Sequence, residues 1–319
     1  MARESRPRGP RHVQPPAARP PGPGALLKLR GEAPAKINRE LRVGGRRPDG
    51  FHEILSRFSS IDLADQIEVE DAGAFELICE GRPVVSGEGN LVLRAARALA
   101  AEIGIEPRAR IRLTKRTPVG AGLGGGSSDA AETLRLLRDL WRADLSDERL
   151  ASLAPALGSD VPYFFLGGEA DVSGRGERFV PREDAAPADL LLLIPPFPVS
   201  TREAFEAHAR RTRGGASLPG RLQIETSGKY LGPNELALAV LEIQGAMKPY
   251  LESAAEAAAE SVMSGSGSAI VLFGARDGAA SWLKKRHPEA SVVPTRTLGR
   301  DEYRARTSPP GGSQWTSPR

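Results

Sequence analysis

Apolar residues recur at helical spacing over residues 90–103. Leu91, Leu93, Ala95, Leu99 and Ile103 share a face, Asn90 stands at the cap position and Gly104 follows as a stop. A second helix is predicted over residues 127–141, with Ala130, Leu134, Leu137 and Trp141 on its stripe. Ser146 followed by Asp147 and Glu148 predicts a third start, because a hydroxyl caps free amides and acidic side chains suit the positive end of the helix dipole. Elsewhere the period shortens. Residues 26–43 and 61–80 read as short strands with Ile67, Val69, Leu77 and Ile78 inward, residues 109–115 alternate as a strand, and the apolar run 163–166 reads as another.

In the second half, residues 190–194 form a continuous apolar strand ended by Pro195 and Pro196, and Thr201 opens a helix to about Arg211. Helices are expected over 234–247, 249–261 and 278–286, with strands over 269–273 and near Val292. Helices and strands mix without strict alternation, which predicts an α+β chain of two domains, residues 26–185 and 186–296. Residues 1–25 are rich in proline and arginine and poor in large apolar side chains, so a disordered arm is expected there, with a tail over 297–319 whose last dozen residues have the same composition.

Composition changes this picture in one respect. The net charge of +4 suggests a polyanionic partner, but residues 1–30 carry net +6 and residues 296–319 net +3, leaving the body at −5. Nucleic acid is therefore not the expected partner. The single cysteine, Cys79, excludes an internal disulfide and a multi-thiolate zinc site, and is expected in a strand. No run reaches the eighteen apolar residues of a membrane span and no secretory h-region opens the chain, so a cytoplasmic protein with no membrane partner is expected. The sequence sets no oligomeric state.

The strongest chemical signal is PVGAGLGGGSS: Pro118, Val119, Gly120, Ala121, Gly122, Leu123, Gly124, Gly125, Gly126, Ser127 and Ser128. Glycines between a strand and a helix let a ligand approach the backbone, and the helix start offers unpaired amides, which together predict a phosphate site. The spacing formally satisfies GxGxxG, yet no second strand ends in an acidic residue about twenty positions on, as dinucleotide binding requires. A Gly-Lys-Ser or Gly-Lys-Thr is also missing, so the loop is not a Walker A motif. Lys36 lies among small and apolar residues on the first strand (PAKIN), where a cation is costly without a partner or else snorkels. Asp160 in GSDVP is equally compatible with an Asx-turn and with a site. GRRPDGFH, residues 45–52, reads by itself as a charged surface hairpin, and SGSGS, residues 264–268, as a second donor-rich turn before a strand.

Taken in order, PAKIN, GRRPDGFH, PVGAGLGGGSSDAA, GSDVPYF and MSGSGSA resemble the GHMP kinase superfamily over residues 31–295. Within it the chain is most similar to the kinases of 4-diphosphocytidyl-2-C-methyl-D-erythritol, GRRPDGFH being the most discriminating segment. The resemblance implies a ribosomal-S5-domain-2-like ATP domain followed by a ferredoxin-like domain. It also implies transfer of the γ-phosphate of ATP, with Mg2+, to the 2-hydroxyl of that small-molecule cytidine diphosphate substrate, a step in making isoprenoid precursors without mevalonate. By the same resemblance Asp160 is the catalytic base and Lys36 its neighbour, favouring the developing alkoxide. Residues 118–128 hold the nucleotide phosphates, with Ser127 or Ser128 a candidate magnesium contact and no other metal ligand indicated. Asn38 orients substrate, Phe51 and His52 receive the cytosine, and Phe205, four residues after Thr201, covers its opposite face. Gly265 to Ser268 close the site, and Arg46, Arg47 and Lys115 are further candidate phosphate donors. Asn234 and Glu235 replace the family's Asn-Asp pair as a helix cap. A rival reading, an RNA-binding S5-like protein that uses its basic arm, leaves Lys36, Asp160 and both glycine loops unexplained.

Overall fold

The computed structural model describes residues 27–212 and 233–307. The expected arm over 1–25 and the final residues 308–319 fall outside the described residues. The first lobe is built on a hairpin of two long strands, β1 (Lys28–Arg46) and β2 (His52–Glu70), joined by the Pro48–Asp49–Gly50 turn. Two 19-residue strands replace the short ones expected, and the register shifts between Pro34 and Lys36, Asn38 and Glu40, and Val43 and Arg46. These bulges bend the strand and re-aim its side chains. They also interrupt the alternation that would have revealed its length.

β3 (Glu76–Gly81) carries Cys79, which is exposed, and pairs in parallel with β4 (Arg110–Lys115). β5 (Glu169–Ser173) and β6 (Arg178–Pro181), which no pattern announced, complete a six-stranded sheet in the order β3-β4-β2-β5-β6, with β1 on β2. Helices α1 (Leu91–Ile103), α2 (Gly125–Leu140) and α3 (Asp147–Leu157) cover it and bury Leu99, Leu134, Leu137 and Leu150 against Ile67, Val69 and Ile111. The Asn90 side chain caps α1 through the amide of Val92, and Gly104 ends it in the left-handed region, as the sequence predicts. Residues 163–166 are a short helix, α4 (Tyr163–Leu166), and not a strand. All four side chains are buried, so the run carries no inside-outside alternation to distinguish the two.

The second lobe is an antiparallel sheet, β10-β7-β9-β8, made of β7 (Asp189–Ile194), β8 (Ala258–Met263), β9 (Ile270–Ala275) and β10 (Ser291–Arg296). It is packed by α5 (Thr201–Arg211), α6 (Ala237–Ile243), α7 (Lys248–Ala257) and α8 (Ala279–Arg286). The helices expected over 234–247 and 249–261 are shorter: Gln244 interrupts the first, and residues 258–261 belong to β8, paired with β9. Alanine favours helix at Ala258 and Ala259, but strand pairing overrides that preference. Residues 300–307, expected in a tail, form α9 (Arg300–Thr307), which returns to the first lobe, with Tyr303 fully buried and its hydroxyl donating to the Phe164 carbonyl at 2.8 Å. A third apolar cluster, including Ile37, Leu123, Leu192 and Val271, joins the two sheets and fixes the cleft between them. Among the described residues no helix is long and apolar enough to cross a membrane.

Candidate active site

The glycine loop begins where β4 ends. Ala121 and Leu123 are buried between Gly120, Gly122 and Gly124, all of positive φ, so alternate residues pin the loop while the glycines turn it. Its carbonyls are used by the protein. Gly120 accepts from the amide of Val199, Ala121 from that of Ala269 and Leu123 from that of Lys36. Gly122 accepts from Lys36 Nζ at 3.1 Å and Ser264 Oγ at 2.9 Å. Among the described residues no such bond uses the loop amides before that of Ser128, which donates to the Gly124 carbonyl. The amides therefore remain for an anion at the start of α2. Ser127 lines the cleft, but Ser128 is buried and donates to the Pro34 carbonyl at 2.7 Å, which removes it as a candidate metal contact.

The cleft has a volume of 1420 Å³ and brings together Lys36, Asp160, the loop, Phe51, His52, Thr201 and Phe205. Lys36, 3% exposed, directs its ammonium to three acceptors: Asn38 Oδ1 at 2.6 Å, the Gly122 carbonyl and Asp160 Oδ2 at 3.5 Å. The Phe58 ring lies 4.4 Å from the same nitrogen. Burial lowers the Lys36 pKa, and the attraction of Asp160 and the hydrogen bond to it partly oppose that shift. The Asp160 side chain is about one-third exposed to the cleft, so the pair has a buried cation and an accessible carboxylate.

Asn38 lies beside Lys36, as expected. Its Oδ1 accepts from Lys36, and its Nδ2 donates to Ser56 Oγ, which in turn donates to the Glu40 carbonyl. The amide therefore orients Lys36 at the wall of the cleft, which Asn38 also lines, and its second Nδ2 proton has no partner among the described residues. Lys115 and Arg47 are likewise tied to carboxylates. Lys115 pairs with Asp65 and Asp129, each at 2.5 Å, and Arg47 with Asp49 and Glu53. Burial pushes the Asp65 carboxyl up, but Lys115 and the hydrogen bonds from Thr117 outweigh it and hold it below the usual range. Asp129 is held well above that range by burial, and its Oδ1 has no partner among the described residues.

At the other end of the cleft, His52 Nδ1 lies 3.2 Å from the Gly44 carbonyl, and Phe205 stacks on His52 with centroids 5.7 Å apart. Phe205 thus lies on His52, and the half-exposed ring of Phe51 meets the Arg175 guanidinium at 5.0 Å. Thr201 Oγ1 and Ser266 Oγ are 2.8 Å apart. Asn234, fully buried, donates to the carbonyls of Met263 and Gly265 and accepts from the Leu236 amide, while Glu235 accepts from the amide of Val43. This pair therefore holds the SGSGS turn and β1, and it does not cap α6 as expected: Leu236 stands at the cap position of that helix, with no side-chain cap bond. Sequence reasoning missed Asp65, Asp129 and Arg175; the one available signal was SSDAA, an acidic residue in the first turns of an otherwise apolar helix.

Comparison with known proteins gives this geometry a context. The family described as GHMP kinases N terminal domain matches residues 90–168. A 4-diphosphocytidyl-2-C-methyl-D-erythritol kinase of Pelotomaculum thermopropionicum is 47% identical over 177 residues, 55% of this chain and 62% of that protein. The chain thus spans about three-fifths of the length of the first relatives it matches. The enzyme of the same name from Anaeromyxobacter dehalogenans is 37% identical over 301 residues, 90% of this chain and 94% of its own. A crystal structure of 4-(cytidine 5'-diphospho)-2C-methyl-D-erythritol kinase superposes with a TM-score of 0.69 at 33% identity, covering 85% of this chain and all of that one. The L. major mevalonate kinase in complex with R-mevalonate, with a TM-score of 0.59 at 13% identity over 86% of this chain and 97% of its own, shares the fold alone.

Proposed function

Because the chain belongs to the 4-diphosphocytidyl-2-C-methyl-D-erythritol kinase family of the GHMP kinases, we propose that it transfers the γ-phosphate of ATP to the 2-hydroxyl of that cytidine diphosphate conjugate, within the non-mevalonate route to isoprenoid precursors. The observation that carries this reading is the Lys36–Asp160 pair in one cleft with free loop amides on one side and Phe51, His52 and Phe205 on the other. Catalysis of phosphoryl transfer is mainly positioning and charge stabilisation, and the residues divide accordingly. The loop amides and the start of α2 receive the nucleotide phosphates in the lobe formed mainly by residues 26–185. Asp160 accepts the hydroxyl proton, and Lys36, aimed by Asn38, stabilises the alkoxide as it forms. The aromatic end takes the base. Residues 186–296 supply Thr201, Phe205 and the SGSGS turn that closes the other wall.

Mg2+ bound to ATP would neutralise phosphate charge, and such an ion needs only one or two protein oxygens. Ser127 and the unpartnered Asp129 Oδ1 fit that requirement, while among the described residues no cluster of three or more acidic, histidine or cysteine side chains offers a complete metal cage.

The test is ATP turnover with the cytidine diphosphate conjugate compared with simple alcohols such as mevalonate and homoserine. Turnover is expected with the conjugate alone, and Asp160→Ala is expected to abolish it while nucleotide still binds. Full activity in that variant removes Asp160 as the base, and equal use of a simple alcohol removes the assigned acceptor.

A further inference from the structure

The turn between β5 and β6 reaches both ends of the cleft. Gly174 donates its amide to Glu53 Oε1 at 2.9 Å and its carbonyl accepts from the Ile54 amide at 2.7 Å, while the Arg175 amide donates to Glu177 Oε2 at 2.6 Å. Gly174 and Gly176 both have positive φ, which lets so short a turn close. A Cβ placed on Gly176 would lie 3.9 Å from Asp160 Oδ1, so the backbone of the turn abuts the proposed base. The side chain of Arg175 leads in the other direction, to the face of Phe51. It is half-buried and lines the cleft, and its charge acts on Asp49 at the same mouth without a close ion pair to any described residue.

The chemistry of the proposed acceptor makes this position informative. In a nucleoside diphosphate joined to a sugar alcohol, the diphosphate lies between the base and the reacting hydroxyl. If the base sits at Phe51 and His52 and the hydroxyl at Asp160, the two phosphates pass the turn that carries Arg175. Of the neighbouring cations, Arg47 is held by Asp49 and Glu53, while Arg46 gives only its Nε to the Gly50 carbonyl and stands at the mouth beside Arg175, without the turn that fixes Arg175 against Asp160. Asp49 adds a negative charge at the same mouth, fixed by the Phe51 amide and Arg47. Without a cation there, the mouth would repel a diphosphate.

We propose that Arg175 binds the diphosphate bridge of the acceptor and so selects a nucleoside diphosphate conjugate over a free alcohol. The assignment rests on the acceptor proposed above. A guanidinium presents a planar fork that matches phosphate oxygens in pairs, an ammonium does not, and the backbone bonds of the turn leave little to order on binding.

Calorimetric titration with cytidine and with cytidine diphosphate tests it, with a non-hydrolysable ATP analogue saturating the other site. The wild type is expected to bind the diphosphate more tightly than the nucleoside. Arg175→Ala is expected to weaken diphosphate binding about 10- to 100-fold, the range for a lost charge-assisted contact, and to leave cytidine binding unchanged. Arg175→Lys, which keeps the charge and tests that the turn still folds, should fall between. In turnover, KM for the conjugate should rise while KM for ATP stays within about twofold. If the alanine variant binds the diphosphate as the wild type does, Arg175 is not its ligand and the acceptor assignment stands. If the wild type binds the diphosphate no better than cytidine, both fall together.

Discussion

At Gly122 the backbones of the two lobes pass close together, and replacing it by alanine tests whether that contact sets the site. A Cβ at Gly122 would lie 2.0 Å from the Ser264 carbonyl oxygen, 2.9 Å from its carbon and 3.2 Å from the Gly267 oxygen. All three are main-chain atoms, so no side chain can rotate out of the way, and the two loops must part by roughly 1 Å or more to reach van der Waals distance. The residue also has φ +75°, which costs a non-glycine residue about 1–2 kcal/mol. With about 1–3 kcal/mol for overpacking, Gly122→Ala should destabilise by about 2–5 kcal/mol, a large part of a typical domain's stability.

The same movement displaces the Gly122 carbonyl from Lys36 Nζ and Ser264 Oγ, and a misplacement of about 1 Å at a reacting centre can cost about 100-fold in rate. Gly126→Ala is the control for stability alone, because Gly126 belongs to the proposed phosphate loop. Its nearest contact is Leu91 Cδ1 at 3.8 Å, its φ is not positive and it lies within α2, so the change should be neutral or stabilise by up to about 1 kcal/mol. Urea denaturation midpoints with unchanged slope measure the stability effect in both variants, and kcat measures the displacement in Gly122→Ala. An unchanged midpoint and kcat in Gly122→Ala refute the reasoning.

Two further predictions concern titration. Burial raises the Glu132 carboxyl to about 8, and its Oε1 has no partner among the described residues. The folded chain then holds a proton that the unfolded chain releases near 4.5, so this contribution to stability is fully present below 4.5 and is lost as pH rises through about 8. The slope is at most about 1.4 kcal/mol per pH unit; Glu132→Gln should remove it in denaturation curves taken across that window, and a persisting slope counts against the assignment. Lys36 should titrate below 10.5 by NMR of its Nζ, and lower still in Asp160→Asn, because the carboxylate is what opposes its desolvation. An upward shift in that variant means that Asp160 does not stabilise the ammonium.

How much of this was legible beforehand depended on whether a residue's role was written locally. The caps of α1 and α3, the bounds of α5 and the start of the glycine loop are local matters of side-chain and backbone chemistry, and the sequence shows them directly. The strand β8 was hidden because alanines carry helical preference while their pairing partner lies a turn away in β9. The helix α9 was hidden because its one large buried side chain, Tyr303, stands among charged neighbours and is buried by another part of the chain, against Phe164 and Gly167. The site followed the same division. Lys36 and Asp160 were recognisable as residues that need partners, and the fold supplies each to the other. The direction of the Asn38 amide, the capture of Lys115 and the reach of Arg175 depend on residues far away in sequence, to which no spacing points.

The two buried lysines beside the glycine loop show why location matters more than the sum of charge. Lys115 faces two carboxyl groups, Asp65 held ionised and Asp129 pushed toward its protonated form by burial, so its ammonium is fully occupied, with Thr117 adding further bonds to Asp65. Lys36 faces one carboxylate that is open to the cleft and two neutral oxygens, so it keeps a cation next to solvent-accessible space. The first arrangement anchors the floor beneath Gly125, whose Cβ position lies 3.0 Å from Lys115 Nζ. The second can respond to a charge that forms in the cleft. A body of net charge −5 has no general attraction for phosphate, so anion binding must come from directed donors: amides that the loop carbonyls' own partners turn toward the cleft, Lys36 as held by Asn38, and Arg175 as held by its turn. Such donors act over a few ångströms, which makes affinity depend on the spacing of the two loops at Gly122 and much less on the basic segments at the ends of the chain.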